Sequence, residues 1–193
     1  MNNICVFCGS STGNGPEFAS AARRLGKLIA KQNKTLIYGG GNIGLMGIVA
    51  DTVMKEGGSV IGVIPDFLLK REVGHLGLTE LIVVKSMHER KQKMASLADA
   101  FIAMPGGFGT LEEVAEIVTW VQLEIIHKPV ALLNVEGYFD HLLAQLDVMA
   151  SNGFTSKKHR TILKSAHTPD ALLDLLLIGS DPHSDESPYL KRT

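Results

Sequence analysis

The amino-acid sequence is poor in the features that mark membrane, secreted and disulfide-rich proteins. Its 193 residues contain only two cysteines, and aromatic side chains make up 6% of the chain. No apolar run approaches the roughly 18 residues of a membrane-spanning helix. The first residues enter a strand-like run without the basic region, apolar core and cleavage site of a signal peptide. We therefore expect a soluble, cytoplasmic protein without a membrane partner.

The sequence also lacks concentrated charge of either sign. The formal net charge is −1, from 19 lysines and arginines against 20 acidic residues, and no basic run stands out. This balance argues against a nucleic-acid partner, which requires a positively charged surface. The seven histidines show no His-Glu-x-x-His or similar ligand spacing. We expect a small-molecule partner, and neither a metal nor a cofactor.

The two cysteines form a Cys-x-x-Cys spacing that does not fit a redox pair. Cys5 and Cys8 lie on the predicted first strand, where residues three apart point to opposite faces. A thioredoxin-type pair belongs at the start of a helix instead. We expect two buried, reduced thiols.

Six short apolar runs alternate with helical patterns along the chain. This order predicts a single-domain, Rossmann-like α/β fold over residues 1–178, with a doubly wound parallel sheet and helices on both faces. Residues 179–193 lack the apolar content to pack, so we expect a disordered tail there. The predicted strands cover residues 3–8, 35–38, 59–64, 81–84, 100–104 and 129–134.

Glycine-rich turns follow three of the predicted strands. They occupy residues 9–11, 39–44 and 105–110, after the first, second and fifth strands. Because parallel strands end at the same edge of a sheet, the three turns predict one phosphate-binding rim. Ser10 and Gly41, in the first two turns, are candidate substrate-binding residues.

The turn after the fifth strand carries the most chemistry. Gly106, Gly107 and Gly109 are expected to adopt positive φ and to let a ligand approach, while the first N–H groups of the next helix attract an anion. That helix is predicted over residues 110–126. Thr110 is its predicted N-cap, and Glu113 stands at the Thr-x-x-Glu spacing of a capping box. Glu113 therefore either closes the helix end, acts chemically beside the phosphate, or does both.

An arginine falls on the apolar side of another predicted helix, over residues 87–98. At roughly 100° per residue, Arg90 lies within the apolar stripe that includes Met87 and Met94. An inward guanidinium needs an anion or several acceptors, because burial of an unpaired charge is costly. Arg90 is then a structural ion pair, a snorkelling side chain, or a functional group that meets a phosphate or a catalytic carboxylate together with Lys91.

Residues 65–78 form a long polar connection that contains Arg71 and Glu72. Binding loops are often of this length, whereas simple links between elements are shorter. The connection is therefore interpreted either as a binding loop or as a solvated loop.

Three segments together resemble the Lonely Guy (LOG) family. They are Gly-Gly-Gly-Asn-Ile-Gly-Leu-Met-Gly at 39–47, Met-His-Glu-Arg-Lys at 87–91 and Pro-Gly-Gly-Phe-Gly-Thr-Leu-Glu-Glu at 105–113. Members of the family are cytokinin riboside 5′-monophosphate phosphoribohydrolases, once widely labelled lysine decarboxylases. The resemblance covers residues 3–178 and implies a homodimeric, Rossmann-like enzyme. Such an enzyme hydrolyses the N-glycosidic bond of AMP or an N6-alkylated AMP, and releases the base and ribose 5-phosphate.

The resemblance also implies roles for individual residues. Arg90 and Glu113 match the family's catalytic pair. Phe108 stands where many relatives have tyrosine, which removes one hydroxyl from the turn. The positions that match nucleotide contacts of the family are Glu72, Arg90, Lys91, Gly106, Gly107, Phe108, Gly109, Thr110, Leu111, Glu112 and Thr119.

This chemistry agrees with the residues themselves. Cleavage of a ribose–base bond passes through an oxocarbenium-like state, which a carboxylate at Glu113 can stabilise while it orients or deprotonates water. By analogy with glycosidases, Glu113 can instead attack the sugar directly. Arg90 would hold Glu113 ionised and oriented or assist departure of the base. The turn at 106–110 would anchor the 5′-phosphate.

Two other functions compete with this hypothesis. Gly39-x-Gly41-x-x-Gly44, with Asp66 about twenty residues on, fits the dinucleotide fingerprint of an NAD-dependent oxidoreductase. That fingerprint follows the second strand rather than the first, however. A non-catalytic nucleotide or molybdopterin carrier would need the same glycine turns. It would have no evident need for an inward Arg90 near Glu113.

Overall fold

The computed structural model describes residues 1–70 and 74–178, in which seven parallel strands alternate with helices. None of the helices in these ranges is long and apolar enough to cross a bilayer. The predicted tail at 179–193 lies outside them. The strands are β1 (Asn3–Phe7), β2 (Thr35–Tyr38), β3 (Ser59–Pro65), β4 (Glu80–Val84), β5 (Ala100–Ala103), β6 (Val130–Leu133) and β7 (Leu163–Ala166). The helices are α1 (Pro16–Lys31), α2 (Gly44–Lys55), α3 (Asp66–Leu69), α4 (Met87–Leu97), α5 (Phe108–Gln122), α6 (Asp140–Ser151), α7 (Lys157–Arg160) and α8 (Pro169–Ile178), with a 3-10 turn at Val135–Gly137.

The strands form one sheet in the order β4-β3-β2-β1-β5-β6-β7. The chain starts in the middle, adds strands to one side as far as β4, and then crosses back to place β5 beside β1. This topology confirms the prediction of a doubly wound α/β fold. The direction of winding reverses between β1 and β5, and a crevice for ligands opens at such a point.

Apolar side chains cover both faces of the sheet. In β1, Ile4 and Val6 point to the layer formed with α1, α2 and α8, whereas Cys5 and Phe7 point to the layer formed with α4 and α5. Every residue of β5 and β6 is buried. This double coverage explains why those strands are almost continuously apolar in sequence.

The two cysteines lie in these opposite layers. Cys5 and Cys8 are both free and buried. Burial raises the pKa of each thiol well above its ordinary value, and the Glu113 carboxylate raises it further. The expectation of two buried, unpaired thiols is confirmed.

Several elements differ from the sequence predictions. Cys8 belongs to the turn after β1, because the strand ends at Phe7. Helix α5 ends at Gln122 instead of residue 126, and Glu124 just beyond it adopts a left-handed conformation with φ of 59°. Strand β7 was not predicted, because its Leu-Lys-Ser-Ala sequence carries no apolar run. It forms by pairing with β6 at the sheet edge.

Candidate active site

The three glycine-rich turns meet at the carboxyl edge of the sheet, as predicted. The Gly9 N–H donates to the Pro105 carbonyl at 3.0 Å, which joins the turn after β1 to the turn after β5. The Leu45 N–H donates to the Gly9 carbonyl at 3.0 Å, which joins the turn after β2 to the same point. We call this edge, formed by residues 9–13, 39–44 and 105–110, the glycine rim.

Gly106 lies at a crowded point of the glycine rim. A Cβ atom at this position would lie 2.2 Å from Thr110 Oγ1 and 2.9 Å from Gly9 N, so a side chain would force the turns apart. Gly107 and Gly109 differ, because no atom lies within 4 Å of a Cβ added at either position. They border open space in which a ligand can approach the backbone.

The left-handed glycines of the rim lie in different turns from the one predicted. Gly13, after β1, has a φ of 74°, and Gly40 and Gly44, after β2, have φ of 75° and 61°. None of Gly106, Gly107 and Gly109 has a positive φ. The expectation for the turn after β5 was therefore wrong. Gly106 is needed because the backbone packs closely there, whereas Gly107 and Gly109 leave space through which a ligand can reach the backbone.

Helix α5 begins two residues earlier than predicted. Its N-cap is Gly107 and its first residue is Phe108, so Thr110 is not the N-cap and lies buried in the first turn. The capping-box interpretation of Thr110 and Glu113 is wrong. Within the described residues no side chain caps α5, so its first N–H groups have no capping acceptor there. That end of the helix is suited to bind an anion at the rim.

Arg90 is buried on α4 and is held by backbone carbonyls. Its Nε donates to the Val63 carbonyl at 3.1 Å and its Nη2 to the Gly39 carbonyl at 3.2 Å, at the ends of β3 and β2. A Cβ on Gly39 would lie 1.9 Å from Nη2, so the guanidinium occupies the space that a side chain would need. No carboxylate among the residues that the structure describes lies within 4.0 Å of it. Among the described residues, the structural ion-pair interpretation therefore finds no partner for Arg90.

Glu113 is half-buried on α5, in the electrostatic field of Arg90. Burial raises the pKa of the Glu113 carboxyl to about 7, although the positive charge of Arg90 lowers it and the negative charge of Glu112 raises it. A carboxyl with this pKa is divided between its two protonation states at neutral pH. That balance is what a general acid or base requires.

Lys91 bridges α4 to α5 through two carboxylates. Its Nζ lies 2.5 Å from Glu112 Oε1 and 3.0 Å from Glu116 Oε2, and its side chain is only 10% exposed. Burial by itself would lower the pKa of the ammonium, but its hydrogen bonds to Glu112 and Glu116 raise that pKa overall. Lys91 is therefore charged and already paired at the edge of the site.

The other predicted substrate-binding residues lie in several different places. Ser10 and Gly41 lie on the glycine rim, and the exposed side chains of Phe108 and Leu111 lie on the first turn of α5. Thr119 lies six residues beyond Glu113, which places it roughly 9 Å further along the helix axis. Its hydroxyl donates to the Ala115 carbonyl at 2.7 Å. Glu72 and Arg71 lie outside the residues that the structure describes.

The second half of the 65–78 connection is attached to the glycine rim. Gly74 forms an antiparallel bridge with Gly41, and the His75 N–H donates to the Gly40 carbonyl at 3.2 Å. His75 Nε2 also lies 2.7 Å from Asp51 Oδ1 on α2. The connection therefore returns to the site, which favours its interpretation as a binding loop.

Tyr138 belongs to the site but was not predicted. It follows the 3-10 turn after β6, and its hydroxyl donates to the Gly106 carbonyl at 2.6 Å. The signal in the sequence was weak, since a single aromatic residue after a strand has no distinctive pattern. A pocket of about 320 Å³ beside it is lined by residues 9–13 and by Phe18, Leu45, Pro105, Gly106, Gly107 and Tyr138.

The dinucleotide fingerprint does not form a pyrophosphate site. Helix α2 begins at Gly44, but the N–H of Leu45 is already bonded to the Gly9 carbonyl. A Cβ on Gly44 would lie 2.2 Å from the backbone of Ser10, which shows how closely the first turn covers this helix end. Asp66 pairs with Lys70 at 2.9 Å. The NAD-dependent hypothesis therefore loses the helix terminus on which it depends.

A metal site has no support within residues 1–70 and 74–178. No group of three or more histidine, cysteine, aspartate or glutamate side chains is placed there to hold an ion. Arg90 donates to the Gly39 carbonyl of the rim, and Glu113 lies on the helix that begins at the rim.

The chain is similar to known proteins over nearly its whole length. A family model described as possible lysine decarboxylase matches residues 46–176. The chain is 47% identical over 97% of its length to a probable cytokinin riboside 5′-monophosphate phosphoribohydrolase of Oryza sativa subsp. japonica, and covers 84% of that protein. It is 46% identical over 96% of its length to a cytokinin riboside 5′-monophosphate phosphoribohydrolase of Arabidopsis thaliana, and covers 87% of that protein.

Solved structures share the fold at lower identity. A molybdenum cofactor binding protein from Rippkaea orientalis is similar with a TM-score of 0.69 and 26% identity, over 92% of this chain and 96% of that one. The molybdenum cofactor carrier protein of Chlamydomonas reinhardtii is similar with a TM-score of 0.66 and 22% identity, over 92% and 98% of the two chains. The second likeness supports the fold alone.

Proposed function

Because the chain belongs to the Lonely Guy family of cytokinin riboside 5′-monophosphate phosphoribohydrolases, we propose that it hydrolyses the N-glycosidic bond of AMP or an N6-alkylated AMP. The products are the free base and ribose 5-phosphate. The match to these relatives extends over nearly the whole chain. The enzyme is an N-glycosyl hydrolase of nucleoside 5′-monophosphates.

The observation that carries this proposal is the arrangement of α5. The uncapped N-terminus of the helix is suited to the 5′-phosphate, and Glu113 stands on the next turn of the same helix. From Thr110 to Glu113 the helix rises roughly 4.5 Å. One rigid element therefore carries both the anchor for the phosphate and a carboxylate beside the sugar. Binding energy from the phosphate can then position the anomeric carbon.

Glu113 supplies the chemical group in this proposal. As ribose and base separate, positive charge develops at the anomeric carbon, and a nearby carboxylate stabilises it. The ionised carboxylate also accepts a proton from the attacking water, or attacks the sugar itself. Both routes need ionised Glu113. A pKa of about 7 makes a large share of the enzyme competent at neutral pH.

Arg90 supplies the compensating positive charge. The carbonyls of Val63 and Gly39 hold two of its donors, so the guanidinium is oriented before substrate arrives. Its charge lowers the pKa of Glu113 and so increases the ionised fraction. With no carboxylate partner of its own nearby in the described ranges, Arg90 can interact with the phosphate or the departing base without first breaking an ion pair.

Lys91 is proposed to contact the nucleotide from the edge of the site. Glu112 is the more exposed of its two partners, with 55% of the side chain accessible against 25% for Glu116. A phosphate that approaches Lys91 competes with Glu112 more easily than with Glu116. Lys91 and Glu112 then move as the nucleotide binds, while Arg90 stays in place.

We also propose that the protein is a cytoplasmic homodimer. Leu123 and Ile125 follow the end of α5, and each is 62% exposed, which is a natural place for contact with a second copy. Thr119 lies on the same half of α5, away from its own glycine rim. A contact between Thr119 and nucleotide is best explained if the site extends to the helix of a neighbouring copy.

A nucleotide or molybdopterin carrier is the second candidate, because the Rippkaea orientalis protein shares the fold at 26% identity. A carrier requires the glycine rim but not an acid whose pKa lies near neutrality. Identity to the phosphoribohydrolases is nearly twice as high. The hydrolase is therefore the stronger proposal.

The direct test is release of free base. Purified protein is incubated with AMP and with N6-isopentenyl-AMP, and base and ribose 5-phosphate are followed by chromatography. We expect release by the wild type, and loss of release in Glu113→Gln and Arg90→Ala. Glu80→Gln, an exposed carboxylate on β4, serves as the matched control and should keep full activity. Tight AMP binding without release of base from either nucleotide would favour the carrier.

A further inference from the structure

Tyr138 makes a bond that packing alone does not require. The residue is 47% exposed, so solvent could satisfy the hydroxyl. The hydroxyl instead donates to the carbonyl of Gly106, which is 32 residues away in the sequence, at 2.6 Å. This short hydrogen bond from Tyr138 to the backbone restrains the conformation of the turn at residues 105–110.

The restrained peptide directly precedes α5. Gly106 is followed by Gly107, the N-cap of the helix. In a planar trans peptide the carbonyl of one residue and the N–H of the next point in opposite directions. A bond that holds the Gly106 carbonyl toward Tyr138 therefore turns the Gly107 N–H away from Tyr138. Because two glycines flank this peptide, little else in the backbone prevents its rotation.

The Tyr138 ring is itself held in place on two sides. It packs edge-to-face against Phe18, with ring centroids 6.0 Å apart, and against Phe139, with centroids 5.0 Å apart. Phe139 is buried, and its N–H donates to the side chain of Asn134 at 2.7 Å. These contacts position the hydroxyl before any ligand binds.

The backbone that presents Tyr138 is unusual. Glu136 has a φ of 50° and Gly137 a φ of 71°, so two consecutive residues are left-handed. A left-handed glutamate is unfavourable and persists only where the surrounding structure imposes it, as it often does beside ligand sites. The turn after β6 is therefore shaped so that Tyr138 reaches the glycine rim.

We propose that Tyr138 is a positioning residue for the 5′-phosphate, which acts by fixing the Gly106–Gly107 peptide so that the Gly107 N–H faces the anion. This inference rests on the proposed function for the identity of the ligand, a nucleoside 5′-monophosphate. Tyr138 itself need not touch the nucleotide. Its effect is confined to the phosphate, and the sugar and base are recognised without it.

The test compares ligands that differ only in the phosphate. Tyr138→Phe keeps the ring and its contacts with Phe18 and Phe139 but removes the hydroxyl. Calorimetry then gives the dissociation constants of AMP and adenosine for wild type and variant. We expect AMP to bind about tenfold more weakly to the variant, as loss of one hydrogen bond implies, and adenosine to bind equally to both. With AMP as substrate, KM should rise more than kcat falls.

The matched control is Tyr38→Phe. The Tyr38 hydroxyl is buried and has no hydrogen-bond partner among the residues that the structure describes. This control removes the same atom from the same residue type without changing the rim, and it should bind AMP as the wild type does. Thermal unfolding of both variants reports any general loss of structure.

The outcomes separate this inference from the proposed function. Unchanged AMP affinity in Tyr138→Phe, or an equal loss for AMP and adenosine, would overturn the positioning role. If wild type binds AMP but releases no base, the proposed function fails, yet the comparison of AMP with adenosine still decides the role of Tyr138. If wild type binds AMP no better than adenosine, the phosphate anchor and the role of Tyr138 both fail, whereas release of base still decides the proposed hydrolysis.

Discussion

Replacement of Glu113 by glutamine should stabilise the protein while it abolishes hydrolysis. Burial raises the pKa of Glu113 from the ordinary 4.5 to about 7 in the folded state. In the unfolded chain the carboxyl regains its ordinary value. Between these two values the folded protein binds more protons than the unfolded chain, so its free energy of unfolding falls as the pH rises. Above pH 7 the penalty reaches its full size.

The magnitude follows from the same two pKa values. At about 1.4 kcal/mol per pKa unit, ionised Glu113 lowers the free energy of unfolding by at most about 3–4 kcal/mol. Glutamine resembles the protonated acid in shape and carries no charge. Near pH 4, Glu113 is protonated in both the folded and the unfolded wild type, so Glu113→Gln should leave the free energy of unfolding unchanged. At pH 8 the substitution should raise the free energy of unfolding by about 2–3 kcal/mol.

Urea unfolding at several pH values measures this difference, and release of base from AMP is followed on the same samples. Glu80→Gln on the exposed β4 edge is the control, and its effect should not change across the range. If Glu113→Gln does not raise the free energy of unfolding at pH 8, or raises it equally at pH 4, the assignment of a desolvated carboxylate at residue 113 is refuted. A variant that is more stable but inactive would indicate that the buried carboxylate lowers the stability of the fold and is retained for catalysis.

Three further predictions concern neighbouring residues. The rate of base release at saturating AMP should rise with pH around a midpoint near 7, and fall about fivefold from pH 7 to pH 6, because only ionised Glu113 acts; a flat profile would contradict this. In Arg90→Gln the midpoint should move to higher pH, since the charge that lowers the pKa of Glu113 is removed; an unmoved midpoint in an active variant would contradict it. Gly39→Ala should lower kcat/KM at least tenfold because its Cβ would displace Arg90, whereas Gly107→Ala, with open space around the added Cβ, should fold with unchanged thermal stability; equal activity in Gly39→Ala and wild type would contradict the clash.

The parts of the fold that depend on local pattern were predictable. Buried strands leave apolar runs and the turns that follow them leave glycines, so the topology class and the meeting of the three turns at one rim follow from residues 3–110. Arg90 was identified because its position on an apolar helix face conflicts with its charge. Each of these signals lies within one element and its neighbouring turn.

The parts that depend on contacts between distant segments were not predictable. Thr110 is a residue type that often caps helices, but α5 starts at Phe108. Pro105 and Gly106 are held against the glycine turn that follows β1, which lies about a hundred residues earlier in the sequence, and this contact sets where the helix begins. Lys91 was expected to face a phosphate, but carboxylates of the next helix hold it. Strand β7 exists only because β6 lies beside it.

Arg90 and Lys91 differ in the groups that hold them, and this difference suits them to different roles in the proposed site. Both are cations on successive positions of α4, yet Arg90 is held by carbonyls and Lys91 by carboxylates. Carbonyls orient a guanidinium without neutralising it, so its charge still acts on Glu113 and on a bound anion. Carboxylates neutralise Lys91, and in the proposed function a nucleotide competes with them for it. A carrier would gain from two adaptable cations, whereas a hydrolase needs one whose position relative to Glu113 is set before the substrate arrives.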